Sequence, residues 1–135
     1  MGLFSWLKRK KPLPIEAQKW NKMWELWVEE KTATPYTELM TYQSEVNNGG
    51  HMQFFDNVSN TADLAQHIEA LKTVLCGVLK ENIAVGYDAY LEYESLGEPE
   101  DEKFEEIFDR LDEVFYEYEA EIEQILKDYA ATFEV

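Results

Sequence analysis

The sequence predicts an all-α protein, a compact bundle of five to seven helices with a long C-terminal acidic helix. Apolar residues recur every three or four positions along most of the chain, which is the period of a helix with one buried face. No segment alternates apolar and polar residues between hairpin turns, and most glycines and prolines fall where helical segments stop. With 45% hydrophobic residues, the 135-residue chain can also fill one core.

Residues 1–14 form a basic and apolar N-terminal tail, and we predict a single helical domain over residues 15–135. The tail places an apolar patch before four consecutive basic residues, a composition typical of segments that lie on membrane surfaces. It is too short to span a bilayer, which needs about 20 apolar residues. The alternatives are a loosely docked tail and weak membrane-surface contact through residues 1–11.

The first two thirds of the domain divide into several predicted helices. Three tryptophans at helical spacing mark a buried stripe over residues 15–30. A second helix is expected to end near Val46, where Asn48-Gly49-Gly50 follows, and a short helix covers residues 51–58. The next helix runs over residues 62–81, with a break near residues 82–86.

The longest periodic stretch follows a linker at residues 98–101. Its apolar residues are spaced alternately by four and three positions, a sustained period of 3.5 residues that predicts a long helix with one buried seam. The seam is Phe104, Phe108, Leu111, Phe115, Tyr118, Ile122, Ile125 and Tyr129. This seam can pack within the domain or against a second copy, so a homodimer is one expectation for the oligomeric state.

The charge is concentrated in the same C-terminal region. The net charge of the chain is -16, and the residues from Glu92 onward hold 17 acidic against 3 basic side chains. Such a surface repels nucleic acid, so we expect no direct nucleic-acid binding and instead attraction of a basic protein partner. The carboxylates could form an ordinary solvated helix face, or they could stand where a DNA-binding protein expects phosphates. The candidate mimic carboxylates are Glu102, Glu105, Glu106, Asp109, Asp112, Glu113, Glu119 and Glu123.

The residues give little sign of catalysis. His51 and His67 are the only histidines, they lie on different predicted helices, and no zinc, phosphate-loop or nucleophile motif accompanies them. We predict no catalytic residues, no metal site and no cofactor. Cys76 is the single cysteine and lies in an apolar run, so we predict a small buried hydrophobe. No cysteine framework indicates secretion, and a cytoplasmic location is expected.

One short stretch differs from the rest of the chain. It reads NNGGHMQFFDN, and we expect Phe54 and Phe55 to anchor a helix while Gln53 and Asn57 satisfy exposed backbone groups at the corner. The stretch resembles a family of small acidic bacterial proteins named for a DNA-mimic member. The matching residues are Glu45, Asn48, Gly49, Gly50, Gln53, Phe54, Phe55 and Asn57, whereas His51 stands where the family usually has phenylalanine.

The resemblance implies an all-helical fold and, for the characterised mimic, binding to a transcription factor in place of DNA. We therefore predict a non-catalytic acidic interaction domain that sequesters a basic DNA-binding protein. The alternative is an immunity protein that neutralises a basic toxin, or a general interaction module. A third hypothesis is a small-ligand binder with a cleft at Gln53 or Asn57.

Overall fold

The computed structural model describes residues 11–135, which contain five helices and no strand. The helices are α1 (Ile15–Val28), α2 (Tyr36–Thr61), α3 (Leu64–Val74), α4 (Gly77–Ser95) and α5 (Glu102–Ala130). α5 packs against α1, α2 and α4, so it is the central element of the bundle. The all-α prediction is confirmed. The prediction of membrane-surface contact falls mostly on residues 1–10, outside the described residues.

α1 contributes its tryptophans to the edge of the core. Met23 is fully buried, and the half-buried rings of Trp20, Trp24 and Trp27 pack against the core. Neighbouring rings meet edge to face, with centroids 6.2 and 5.3 Å apart. The indole N–H of Trp27 donates to the hydroxyl of Thr41 at 3.2 Å, which gives the polar end of the ring a partner.

α2 is bent at the two glycines. Gly50 has φ +79°, a left-handed conformation that favours glycine, and the chain re-enters the helix at His51. The predicted helix end and restart at Asn48-Gly49-Gly50 are therefore present as a kink. After the bend, Phe54 and Phe55 are completely buried, as the sequence predicts. Burial of each ring contributes roughly 2–3 kcal/mol of hydrophobic free energy.

The middle of the bundle differs from the prediction. The expected helix over residues 62–81 is broken at Leu75 and Cys76, and Gly77 begins α4 with φ +55°. Cys76 is exposed at this break, so its prediction as a buried hydrophobe is wrong. The predicted break near residues 82–86 is also wrong, because α4 continues through it. Gly86 lets α5 approach instead, since a Cβ there would lie 3.0 Å from Leu111.

α5 confirms the predicted long acidic helix after a linker. Its first half follows the expected seam from Phe104 to Phe115. In its last turns the helix buries Leu126 and Ala130, whereas Ile125 and Tyr129 of the predicted seam are half-buried. A seam of strict 3.5-residue period needs a supercoil, and a straight helix with 3.6 residues per turn drifts away from it. No helix in residues 11–135 is long and apolar enough to cross a membrane.

Candidate functional site

The matching motif forms a hydrogen-bonded corner across the bend of α2. The side-chain amides of Gln53 and Asn57 both donate to one carboxylate oxygen of Glu45, at 3.0 and 2.8 Å. The two amides thus join the segment after the glycines to the segment before them. This differs from the expectation that they satisfy backbone groups, and Asn48 lies exposed beside them.

The two glycines of the corner are needed for different reasons. Gly49 has φ -158° and ψ 18°, and a Cβ there would collide with the side-chain amide of Gln53. Gly50 combines its left-handed φ with crowding, because a Cβ would lie 2.6 Å from a carboxylate oxygen of Asp112. The corner therefore allows close approach between α2 and α5.

His51 connects this corner to α5 through a buried chain of hydrogen bonds formed by Tyr42, His51 and Asp112, which we call the relay. Its backbone N–H and its Nδ1 both contact Oδ1 of Asp112, at 2.8 and 2.6 Å. Its Nε2 lies 2.6 Å from the hydroxyl of Tyr42. The His51 side chain has no exposed surface, and the rings of Tyr42, Phe55 and Phe115 surround it.

The protonation of the Tyr42 hydroxyl determines which atoms of the relay donate hydrogen bonds and which accept them. Burial, aided by the negative charge of Asp112, raises the pKa of the Tyr42 hydroxyl far above its ordinary value, so the hydroxyl stays protonated. It can donate to Nε2 of His51 while Nδ1–H donates to Asp112, which is the pattern of a neutral imidazole. The relay satisfies every polar atom of the ring and offers no open position to a substrate. Sequence inspection missed this role because Asp112 lies 61 residues from His51.

Two further carboxylates of α5 are used inside the bundle. The amide of Gln43 donates to Glu123 at 2.6 Å and to Glu119 at 3.2 Å. The amide of Asn47 donates to Glu119 at 2.7 Å. We call Asp112, Glu119 and Glu123 the inner carboxylates. The sequence placed all three among the mimic candidates, yet each is half-buried and bonded to α2.

The outer side of α5 carries a separate row of exposed carboxylates, which we call the acidic stripe. Its members follow one another at steps of four, three, four, four and four residues, which keeps them on one side of the helix. They are Glu102, Glu106, Asp109, Glu113, Glu117 and Glu121. None of the six forms an ion pair within residues 11–135. The stripe extends along roughly 28 Å of helix axis, at about 1.5 Å per residue.

The stripe keeps part of the predicted set and extends it. Glu102, Glu106, Asp109 and Glu113 were mimic candidates, and Glu105 is exposed beside them. Glu117 and Glu121 were not among the candidates, although they continue the row at four-residue intervals. Extending the four-residue interval beyond Glu113 in the sequence would have identified both residues.

A third group of carboxylates lies where α4 meets the linker. Asp56, Glu94 and Glu98 each place one oxygen within 4.8 Å of the others, so these residues could hold a cation. A hydrogen bond and charge repulsion from Glu94 raise the pKa of Glu98. The hydroxyl of Tyr90 donates to Asp56 at 3.0 Å, and burial of that hydroxyl, the largest contribution, raises the pKa of Tyr90 to about 12. The group adds negative charge to the same end of α5.

A cavity of about 910 Å³ lies between α1 and the C-terminal end of α5. Its wall includes Trp20 and Ala130, and its mouth carries Lys19 and Lys127. None of the residues that line it belongs to the motif corner. The predicted cleft at Gln53 or Asn57 would require those amides to face a ligand, whereas both face Glu45.

Comparison with protein families matches residues 36–133 to the DMP19-like proteins. The matched span contains the glycine corner and all of α2 to α5, including both sets of carboxylates. Comparison with curated proteins and with solved structures finds no match. Because the match covers well over half of its length, the chain belongs to the DMP19-like protein family.

Proposed function

We propose that this chain is a non-catalytic DNA mimic, which binds a basic DNA-binding protein through the acidic stripe and so keeps that protein from DNA. The observation that carries the proposal is the stripe itself. Six carboxylates that form no ion pair within residues 11–135 are held on one helix, and membership of the DMP19-like family supports the same function.

The spacing of the acidic stripe supports a partner that binds a linear row of negative charges, as a DNA-binding protein does. Neighbouring stripe residues are about 6 Å apart along the helix axis, at 1.5 Å per residue. One strand of DNA has a phosphate about every 3.4 Å, so the stripe alone is less dense than a strand. Glu105 and the cluster of Asp56, Glu94 and Glu98 add exposed or partly exposed charge beside it.

The inner carboxylates do not take part in this proposal. They are bonded to amides and to His51, and exposing them to a partner would break those contacts. A basic partner should therefore depend on stripe residues and depend little on the inner carboxylates. The cytoplasm is where we expect such a partner and this chain to meet.

The first experiment is affinity capture from the native cell at low salt, followed by elution with a salt gradient. A DNA-binding protein should elute at moderate salt, because its contacts are ionic and largely exposed. Addition of the purified chain should then displace that protein from labelled DNA. Salt-resistant capture, or a partner whose DNA complex is unaffected, would contradict the proposal.

A matched pair of triple variants tests the surface. Asp109→Asn, Glu113→Gln and Glu117→Gln remove three charges from the stripe. The control variant removes three charges elsewhere, at the exposed residues Glu16, Glu25 and Asp88, with the same residue types. The stripe variant should lose about tenfold or more in affinity for the captured protein, since three adjacent charges of the proposed contact surface are removed together. Equal loss in both variants would show that only net charge matters.

The same capture experiment separates the alternative function. Recovery of a basic nuclease toxin in place of a DNA-binding regulator would favour an immunity protein. In that case the chain should suppress nuclease activity, and it should displace no DNA-binding regulator from labelled DNA.

A further inference from the structure

The cavity between α1 and the C-terminal end of α5 has the size and the lining of a small-ligand site. Its volume of about 910 Å³ lies within the range of about 300–1,000 Å³ that such sites occupy. The half-buried ring of Trp20 offers a flat apolar surface in its wall. The other apolar residues of the lining are Ile15, Ala17, Ala130 and Ala131.

The two walls of the cavity come from distant parts of the chain. One wall is the first half of α1, which precedes the residues 36–133 that match the family. The other wall is the last two turns of α5. The ammonium group of Lys19 joins the walls, because its Nζ donates to the backbone oxygen of Ala131 at 3.1 Å. The cavity therefore depends on a helix that lies outside the matched residues.

The charged groups of the lining leave hydrogen-bond donors open. Lys19 and Lys127 lie on opposite walls, and neither forms an ion pair in the part of the chain that the structure describes. Two carboxylates also line the cavity, those of Glu16 and Glu123. Glu123 directs one oxygen into the bundle, to the amide of Gln43 at 2.6 Å, and Glu16 is exposed to solvent. The two lysines can therefore both donate to a ligand at the mouth.

The start of α1 adds further donors to the cavity. No side chain of residues 11–135 caps the first backbone N–H groups of α1. Residues 15–17, which carry these groups, line the cavity. Free N–H groups at the start of a helix, together with the helix dipole, favour a negatively charged ligand. The backbone and the two lysines thus select the same kind of ligand.

We propose that this cavity binds a small organic anion, a carboxylate attached to an apolar body. The carboxylate only accepts hydrogen bonds, and it takes them from Lys19 and Lys127 at the mouth. The apolar body lies against Trp20 and Ala130. The acidic stripe ends at Glu121, before the lining of the cavity begins on α5. The inference is therefore independent of the proposed DNA-mimic function, and either can fail alone.

The open donors favour this ligand over two other occupants. A neutral apolar molecule would cover the mouth and leave the donors of Lys19 and Lys127 without an acceptor, which is unfavourable. The N-terminal tail has apolar residues, but its basic run at residues 8–11 has the same sign of charge as the two lysines. A small anion supplies both the apolar contact and the opposite charge.

The test is titration of the full chain with decanoate and with decanamide, measured by calorimetry. The two probes share one apolar chain and differ in the charge of the head group. A net charge of -16 repels the anion at long range, so stronger binding of decanoate requires local positive groups. We expect one site per chain and at least about fivefold tighter binding of decanoate. No saturable binding of decanoate, or equal affinity for both probes, would overturn the proposal.

A matched pair of double variants tests the two lysines. Lys19→Gln/Lys127→Gln should weaken decanoate binding about tenfold and leave decanamide binding nearly unchanged, because only the anion depends on the ammonium groups. Lys22→Gln/Lys80→Gln is the control. It makes the same change of net charge at two residues outside the lining of this cavity, and it should preserve the preference for decanoate. An equal loss in both variants would mean that only the net charge of the chain matters.

The tryptophans report where the probe binds. Trp20 lines the cavity, whereas Trp27 does not line it and donates its indole N–H to Thr41. In NMR spectra of the full chain, decanoate should shift the indole N–H signal of Trp20 and leave that of Trp27 in place. Trp20→Phe and Trp27→Phe assign the two signals. Saturable binding of decanoate without a shift at Trp20 would place the probe elsewhere and contradict the assignment of this cavity.

Discussion

On the side of α5 that faces the bend of α2, Asp112, Glu119 and Glu123 accept hydrogen bonds from His51, Gln43 and Asn47. On its outer side, the six carboxylates of the acidic stripe have no ion-pair partner within residues 11–135. The residue types are the same, and they lie on the same helix at interleaved positions. Their surroundings alone decide whether a carboxylate bonds to α2 or faces solvent.

The comparison explains why a count of charges overstates the number of carboxylates on α5 that are free to meet a partner. Three of the eight mimic candidates are inner carboxylates, and two members of the stripe were not candidates. Removing an inner carboxylate leaves a buried donor without a partner, which costs stability. Removing a stripe carboxylate relieves repulsion between like charges. The two sides of α5 should therefore respond to mutation with opposite signs.

The largest expected effect is that of Asp112→Ala. It removes the acceptor of both the backbone N–H and Nδ1 of His51, whose side chain is fully buried. Two unsatisfied buried donors cost about 1–3 kcal/mol each, so we expect a loss of about 3 kcal/mol in the free energy of unfolding. Chemical denaturation measures it. Asp109→Ala is the control on the outer side and should change stability by no more than about 0.5 kcal/mol. Similar losses in the two variants would remove the distinction between the two sides.

Gly49→Val is expected to cost less, about 1–2 kcal/mol, because the added Cβ displaces Gln53 from Glu45. The Gln53 amide makes the closest contacts with the added Cβ, so this collision should account for most of the cost. In a Gln53→Ala background the same substitution should therefore lose most of its effect. A double-mutant cycle by urea denaturation measures this coupling. An unchanged cost in that background would place the constraint elsewhere in the corner.

The stripe variant Asp109→Asn/Glu113→Gln/Glu117→Gln should have the opposite sign. We expect its free energy of unfolding to rise by less than about 1 kcal/mol at low salt, since three like charges are removed from one helix face. The gain should disappear near 500 mM salt, where the Debye length is only a few ångströms. Thermal melting at two salt concentrations measures it. A loss of stability would mean that stripe carboxylates are structural after all.

The parts of the fold that sequence reasoning found are those with local signals. The long helix α5 with the first half of its buried seam, the bend at the glycines and the burial of Phe54 and Phe55 could all be predicted. The break at Leu75–Cys76 was missed because the apolar period continues across it. Gly77, with its positive φ, was the available signal.

The site was less predictable, because its contacts join distant parts of the chain. His51 meets Asp112 across 61 residues, and Gln43 meets Glu123 across 80. A helical period shows which residues share a face, but neighbouring faces of α5 both contain carboxylates. Only the packing of α2 against one of them separates Asp112 from Asp109 and Glu113.

The smallest expected effect concerns Glu98, in the exposed carboxylate cluster at the end of α4. A hydrogen bond and repulsion from Glu94 raise its pKa in the folded chain above the ordinary value of 4.5, so the folded state binds this proton more tightly than the unfolded state does. The favourable contribution is complete below the ordinary pKa and is lost as pH rises through the folded pKa. At pH 7 the two carboxylates repel each other.

Glu98→Gln should therefore raise the melting temperature slightly at pH 7, and the difference from the natural chain should vanish below about pH 4.5. Glu100→Gln is the control, because Glu100 is exposed on the same linker and lies outside the cluster. Melting curves between pH 4 and pH 7 measure both. A gain for Glu98→Gln that persists at low pH would mean that its carboxyl does not share a proton with Glu94. The cluster would then behave like the acidic stripe, as separate charges facing solvent.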